Sequence, residues 1–335
     1  MGSTLRVGFL SAAALFLAAC SNPTGPPVFP PYIDGTFGAA ALQENALGLP
    51  QAAPFRSEFS TPGIVHVDYD LDGESDQDLA YDLAVDGVLR VKGVPVAEVT
   101  ADGQLMIGGN LDPDDPLAGL TIGAAVKSVR GIGTNTFAGK YVLCTLGGDT
   151  SAGTYFTRRQ LGTADGIEFL TTGILAHSDG LTGSAVLPYS VVDGSVFLPG
   201  YVGAVTVEGR VAVLSMPSNP HGELVVAIRK STRLAQMPLS GTYVGYDFRH
   251  DAGVSRTARI SLRADGAGNA TLSEVTSDGT SLSDAFAIDT AVDGVVVFDG
   301  GAATGIVSED GRVLAMVDTD PSDGGIGFLL ALRKP

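Results

Sequence analysis

Gly241-Thr242-Tyr243-Val244-Gly245-Tyr246-Asp247-Phe248 opens a segment that closes on Ile326-Gly327-Phe328-Leu329-Leu330-Ala331-Leu332-Arg333-Lys334. In the closing run Ile326, Phe328, Leu330 and Leu332 alternate with their neighbours, the period-two pattern of a strand with two distinct faces. The opening Gly-x-aromatic step occurs twice before, as Gly35-Thr36-Phe37 and Gly139-Lys140-Tyr141, at intervals of about 100 residues. The closing run with a basic end is also repeated, as Leu120-Thr121-Ile122-Gly123-Ala124-Ala125-Val126-Lys127 and Leu224-Val225-Val226-Ala227-Ile228-Arg229-Lys230. The chain therefore reads as three copies of one unit, spanning 33–130, 131–232 and 233–335, the first the most divergent.

Turns inside the units recur in the same order. Val-Asp-Gly stands at Val85-Asp86-Gly87, Val192-Asp193-Gly194 and Val292-Asp293-Gly294, followed by Asp102-Gly103, Glu208-Gly209-Arg210 and Asp310-Gly311-Arg312. Asp-Gly between apolar runs is a hairpin signal, because both residues tolerate the positive φ that tight turns need. No stretch after the first nineteen residues sustains a 3.6-residue pattern with caps, so the fold is expected to be all-β. Counting turn to turn gives about eight strands in each unit, enough for an up-and-down meander to close by pairing its first strand with its last. Three antiparallel barrels in series are expected. The alternative is a six-bladed β-propeller, two blades per unit, against which stands the lack of likeness between the halves of one unit.

The amino-terminal residues read as an address. Arg6, an apolar stretch from Val7 to Leu17, and small residues before Cys20 make a secretory signal over 1–19, too short to span a bilayer as a helix. Leu17-Ala18-Ala19-Cys20 resembles the lipobox of bacterial lipoproteins. That resemblance implies cleavage before Cys20, a diacylglycerol on its thiol and a further acyl chain such as palmitate on its amino group. Several chains on one residue anchor a protein stably where one is marginal. Ser21 in place of aspartate implies, by similarity to enterobacterial sorting, the outer membrane. Residues 20–32 are proline-rich and read as a semi-rigid tether.

Composition limits the partners. The formal net charge is -17, and loss of Arg6 with the signal makes it one unit more negative. Such a field repels nucleic acid. With Cys20 lipidated, Cys144 has no disulfide partner, and its apolar neighbours Val142, Leu143 and Leu146 suit a buried role. The four histidines are scattered, and no nucleophile elbow, phosphate loop or dinucleotide fingerprint is present. No catalytic residue is identified.

One loop carries chemistry: Asp68-Tyr69-Asp70-Leu71-Asp72-Gly73-Glu74-Ser75-Asp76. Calcium wants six to eight oxygens, and alternate carboxylates around a sharp turn supply them. Asp68, Asp70, Asp72 and Asp76 offer carboxylates, and Glu74 a backbone carbonyl. The loop resembles the Asp-x-Asp-x-Asp-Gly-x-x-Asp calcium loops of integrin-type and dockerin-like repeats. It departs from the EF-hand version, since Leu79 stands where a glutamate would close the shell. The equivalent turns at Asp179-Gly180 and Asp278-Gly279 lack the acidic ladder, and an acidic hairpin tip without metal is the competing reading. Two further acidic tips, Asp112–Asp115 and Asp318–Asp323, are read as solvated turns.

Three functions are compatible with this reading. The foremost is a membrane-anchored, non-enzymatic binding or structural module that meets a protein or glycan, with Ca2+ as its expected ligand. The second is a lipocalin-like carrier holding a small apolar molecule inside a barrel. The third is a cell-surface hydrolase. Surface lipoproteins of the transferrin-binding type are similar in architecture, with eight-stranded barrels, but their glycine-rich aromatic strand motifs are absent here. For an interaction module, Tyr243, Tyr246 and Phe248 are the expected exposed patch.

Overall fold

The computed structural model describes residues 33–44, 49–110, 121–177, 183–217, 221–231, 239–276, 279–291, 293–318 and 325–335. Cys20, the tether and the tip at 112–115 lie outside them, as does most of the tip at 318–323. The described chain is almost entirely antiparallel strand. The first barrel runs β1 (Gly35–Glu44), β2 (Pro50–Thr61), β3 (Ile64–Asp68), β4 (Gln77–Leu83), β5 (Val88–Val91), β6 (Val94–Val99), β7 (Leu105–Gly109) and β8 (Thr121–Lys127). A single helical turn, α1 (Thr134–Phe137), precedes the strands of the second unit. That unit comprises β9 (Gly139–Asp149), β10 (Thr154–Ala164), β11 (Glu168–His177), β12 (Ala185–Pro188), β13 (Ser190–Val192), β14 (Ser195–Leu198), β15 (Tyr201–Val205), β16 (Val211–Met216) and β17 (His221–Arg229). The third has β18 (Ser240–Asp251), β19 (Val254–Asp265), β20 (Asn269–Thr276), β21 (Ser281–Thr290), β22 (Val295–Phe298), β23 (Ala303–Val307), β24 (Val313–Asp318) and β25 (Ile326–Arg333).

In every unit the first strand pairs with the last, and in the first and third each strand also pairs with the next, which gives up-and-down barrel sheets and excludes the propeller. The first and third are closed by eight strands. The second is a nine-stranded sheet whose edges, β12 and β13, are consecutive pieces of one extended segment divided at Tyr189. Tyr189 N–H still donates to the Ile167 carbonyl at 3.0 Å, as Tyr81 N–H does to Gly63 and Ile288 N–H to Gly268 in the other barrels. Pro188 explains the division: it has no N–H to offer the strand on the opposite side.

The repeated ends now have a mechanical meaning. Phe37 pairs with Lys127, Tyr141 with Arg229 and Tyr243 with Arg333, so the basic end of each closing strand lies beside the opening aromatic. The glycine two residues earlier leaves room for that basic chain. A Cβ on Gly35 would lie 2.8 Å from Lys127 Cε, and Cβ atoms on Gly139 and Gly241 would lie 2.9 Å from Nε of Arg229 and Arg333. The tyrosine hydroxyls donate to the Gly209 carbonyl (2.8 Å) and the Gly311 carbonyl (2.9 Å), tying the seam to the next turn. Phe37 lacks this bond, the divergence of copy one expressed as chemistry.

Four apolar clusters hold the body together. Three fill barrel interiors, around Phe37 and Tyr81, around Tyr141 and Phe169, and around Tyr243 and Leu262. The fourth lies between barrels and draws on the outer faces of the first and last strands of all three, including Leu42, Ile122, Val142, Val226, Phe248 and Leu330. These strands are buried on both faces, which is why their sequences run almost continuously apolar. Glycines permit the close approach: a Cβ on Gly148 would lie 2.3 Å from Pro50, and one on Gly109 would lie 2.6 Å from the Tyr246 ring.

Polar contacts between barrels follow a cycle. Arg210 and Lys230 of the second barrel reach Asp310 (2.8 Å) and Asp293 (2.6 Å) of the third. Arg312 and Lys334 of the third reach Asp102 (3.0 Å) and Glu98 (2.6 Å) of the first. At the remaining junction the second barrel donates to the first, Tyr155 to Glu44 Oε2 (2.8 Å) and Thr150 to the Pro50 carbonyl (3.1 Å). The second barrel thus presents to the third the same turn that the third presents to the first.

Candidate functional site

The acidic loop joins β3 to β4 in the first barrel. Its neck is closed by Asp76 N–H donating to the Val67 carbonyl (2.9 Å) and Tyr69 N–H donating to Asp76 Oδ2 (2.7 Å). Leu71 (φ 63) and Gly73 (φ 97) take left-handed conformations that fold the chain back over Asp68. The turn brings single carboxylate oxygens of Asp68, Asp70 and Asp76 within 4.8 Å of one another. Among the described residues this is the one group of three or more His, Cys, Asp or Glu side chains so placed.

Asp68 is the inner member, 6% exposed. Its Oδ2 accepts from Arg56 and from Gly73 N–H (3.1 Å), while its buried Oδ1 has no hydrogen-bond partner. Burial pushes the Asp68 carboxyl upward, but the Arg56 guanidinium and the nearby amides of Gly73 and Leu71 outweigh it, and the carboxyl is held below the usual range. Asp70 differs. The Asp72 amide draws its pKa down, yet desolvation and the charges of Asp72, Asp76 and Asp68 prevail and raise it. The loop crowds negative charge more tightly than Arg56 alone neutralises.

The structure does not add Asp72 or Glu74 to this trio. Asp72 Oδ1 accepts the Glu74 amide at 2.8 Å, a turn-stabilising role, and both side chains are exposed. Arg56 is the participant that sequence reading missed. It faces Asp68 across the β2–β3 pairing, a register visible only once the strands are aligned. Asp78, next to the loop, bonds His66 Nδ1 (2.6 Å) and Ser75 Oγ (2.8 Å) instead of joining the acids.

The expected aromatic patch is corrected. Tyr243, Tyr246 and Phe248 are all buried. Alternation along β18 turns Tyr243 into its own barrel and sends Tyr246 and Phe248 into the shared core, where Phe248 meets the Tyr155 ring of the second barrel at 5.1 Å. Their apolar faces serve contact, but between parts of one chain.

Among the described residues, barrels two and three are filled at the Gly-x-aromatic end and hold a cavity towards the other. The second holds a cavity of 320 Å³ in which Glu223 accepts from Arg158 (2.9 Å) and Tyr201 (2.7 Å), using both its oxygens. The third holds one of 430 Å³, with Arg249 donating to Asp247 (2.6 Å) and to Glu274 Oε1. Glu274 Oε2 is buried without a partner. Both cavities are lined by apolar and charged side chains together, where a lipocalin-like carrier of an apolar molecule needs an apolar lining.

No protein-family model matches the chain, and none of the curated proteins matches it. Among solved structures it is similar to a transferrin binding protein B double mutant from Haemophilus parasuis Hp5, at 10% identity, covering 93% of this chain and 78% of that one, with a TM-score of 0.31. Isotype 1 transferrin binding protein B from serogroup B Neisseria meningitidis gives 10% identity, coverage of 93% and 79%, and a TM-score of 0.31. At TM-scores this low the likeness carries no argument about what the present chain does.

Proposed function

We propose that the chain is an exported lipoprotein, held at the outer membrane through Cys20, whose three-barrel body serves as a non-enzymatic binding or structural module stabilised by calcium at the Asp68–Asp76 loop. One observation carries the calcium reading above the rest: Asp68, Asp70 and Asp76 converge, and the inner carboxylate keeps a buried oxygen, Oδ1, without a partner. A hard cation satisfies that oxygen and relieves the repulsion that raises Asp70. Asp72 stays in its turn-capping role, and backbone carbonyls and water would complete the shell. The anchor rests on Leu17-Ala18-Ala19-Cys20, the proline tether lifts the body from the bilayer, and the shared core makes that body one piece.

Calorimetric titration of calcium into the full chain tests the site, with Asp70→Asn and Asp76→Asn beside it and thermal melting with and without chelator. One site in the parent, lost in both variants, with a lower Tm in chelator, is expected. Absence of heat with an unchanged Tm removes calcium from the reading. Palmitate labelling of the chain, abolished by Cys20→Ala, is the matching test of the anchor.

A further inference from the structure

We propose that the cavity of the third barrel is a binding site for a small organic cation, an ammonium or guanidinium head carried on an apolar body. The argument begins with Glu274. It is 4% exposed, it lines the 430 Å³ cavity, and its Oε2 has no hydrogen-bond partner although Arg249 holds Oε1. A buried carboxylate oxygen without a donor is costly, and a charged N–H donor is the strongest group that relieves it. The architecture does not require this orphan. In the second barrel Glu223 occupies a comparable cavity with both oxygens bonded by the protein itself. Barrel three has an arginine for the first oxygen and leaves the second, buried in a side chain that lines the cavity, without a donor.

The rest of the lining selects the ligand. Asp247, Glu274, Asp284, Asp299 and Asp318 surround the space, and among the described residues Arg249 is the one basic residue lining it, already committed to two carboxylates. The field favours a cation and repels an anion. The floor is apolar, including Leu272, Phe286 and Met316, and the volume suits a ligand with a hydrocarbon portion. A bare metal ion fits poorly, because it would sit against the Arg249 guanidinium and leave the apolar floor uncovered. This site is separate from the acidic loop, so calcium binding there and cation binding here succeed or fail independently.

The test titrates 4-phenylbutan-1-amine into the full chain near pH 7.5, alongside the neutral 4-phenylbutan-1-ol and the anionic 4-phenylbutanoate. The amine is expected to bind at one site, the alcohol about tenfold more weakly and the carboxylate not at all. Glu274→Gln keeps the shape and removes the charge, and is expected to weaken the amine by about tenfold or more. Asp284→Lys, at an exposed rim position, is expected to weaken it without altering the melting curve. No binding of the amine, equal affinity for the alcohol, or competition by calcium at that site overturns the proposal. If Glu274→Gln does not fold, Asp284→Lys decides: unchanged amine affinity in that variant also overturns it.

Discussion

Arg210 of the second barrel and Asp310 of the third form an ion pair at 2.8 Å between two copies of the same turn. The next pair in the cycle, Arg312 with Asp102, repeats the contact from the third barrel to the first. Both lie at the surface, where such pairs contribute at most about 1 kcal/mol. Glu98 is different: fully buried, it accepts from Arg259 (2.8 and 2.6 Å) and from Lys334 (2.6 Å) across the junction of barrels one and three. Glu98→Ala is expected to cost about 2–4 kcal/mol in urea unfolding, and Arg210→Ala under about 1 kcal/mol. Equal costs would mean that the buried pair does not lock the junction.

Tyr246 offers a test with two signs. Its ring fills the shared core, yet its hydroxyl is buried with no partner. Tyr246→Phe is expected to leave stability unchanged or raise it by up to about 1 kcal/mol, whereas Tyr246→Ala should cost about 3–5 kcal/mol. A destabilised Tyr246→Phe protein would show that the hydroxyl is bonded after all.

The Asp247 carboxyl makes stability depend on pH. Burial raises its pKa to about 6; Arg249 opposes the shift and Glu274 adds to it. Between the ordinary value of 3.8 and about 6 the native state holds a proton that the unfolded chain releases, so this group's contribution is lost as pH rises through that window. Relative to Asp247→Asn, the parent is expected to lose up to about 1.4 kcal/mol per pH unit there. Urea unfolding of both proteins at pH 4.5 and 7.5 measures it, and a parent that gains on the variant as pH rises contradicts the assignment.

Cys144 is buried between barrels, and desolvation pushes its thiol up to about 12 despite Arg159 nearby. In a Cys20→Ser chain it is expected to ignore a maleimide at pH 7.5 and to react only after unfolding by denaturant. Rapid labelling of the native protein would place an opening at the centre of the shared core.

How much of this was legible in advance differs by level. The Gly-x-aromatic steps, Asp-Gly turns and alternating runs carried the number of units, the strand class and closure by the first and last strands, because each is a local constraint on backbone or face. Pairing across the molecule was hidden. Alternation marked Tyr246 and Phe248 as apolar, but no local pattern says whether such a face meets solvent or a neighbouring barrel. The acidic ladder pointed to Asp68, Asp70 and Asp76, while Arg56 needed the β2–β3 register to be seen. Glu274 and Arg249 lie 25 residues apart and meet only inside the closed barrel.

The cyclic order of contacts has a historical consequence. The second and third units each carry a donor side facing the next barrel, and the third and first an acceptor side facing the previous one. A solitary unit would expose both, and two units would leave an open wedge. Three identical short chains could satisfy every junction before any gene fusion, and a fused descendant could then let its copies drift apart. Gln104 standing where the other two turns have Arg210 and Arg312, and Glu274 appearing in one barrel alone, are the marks of that freedom.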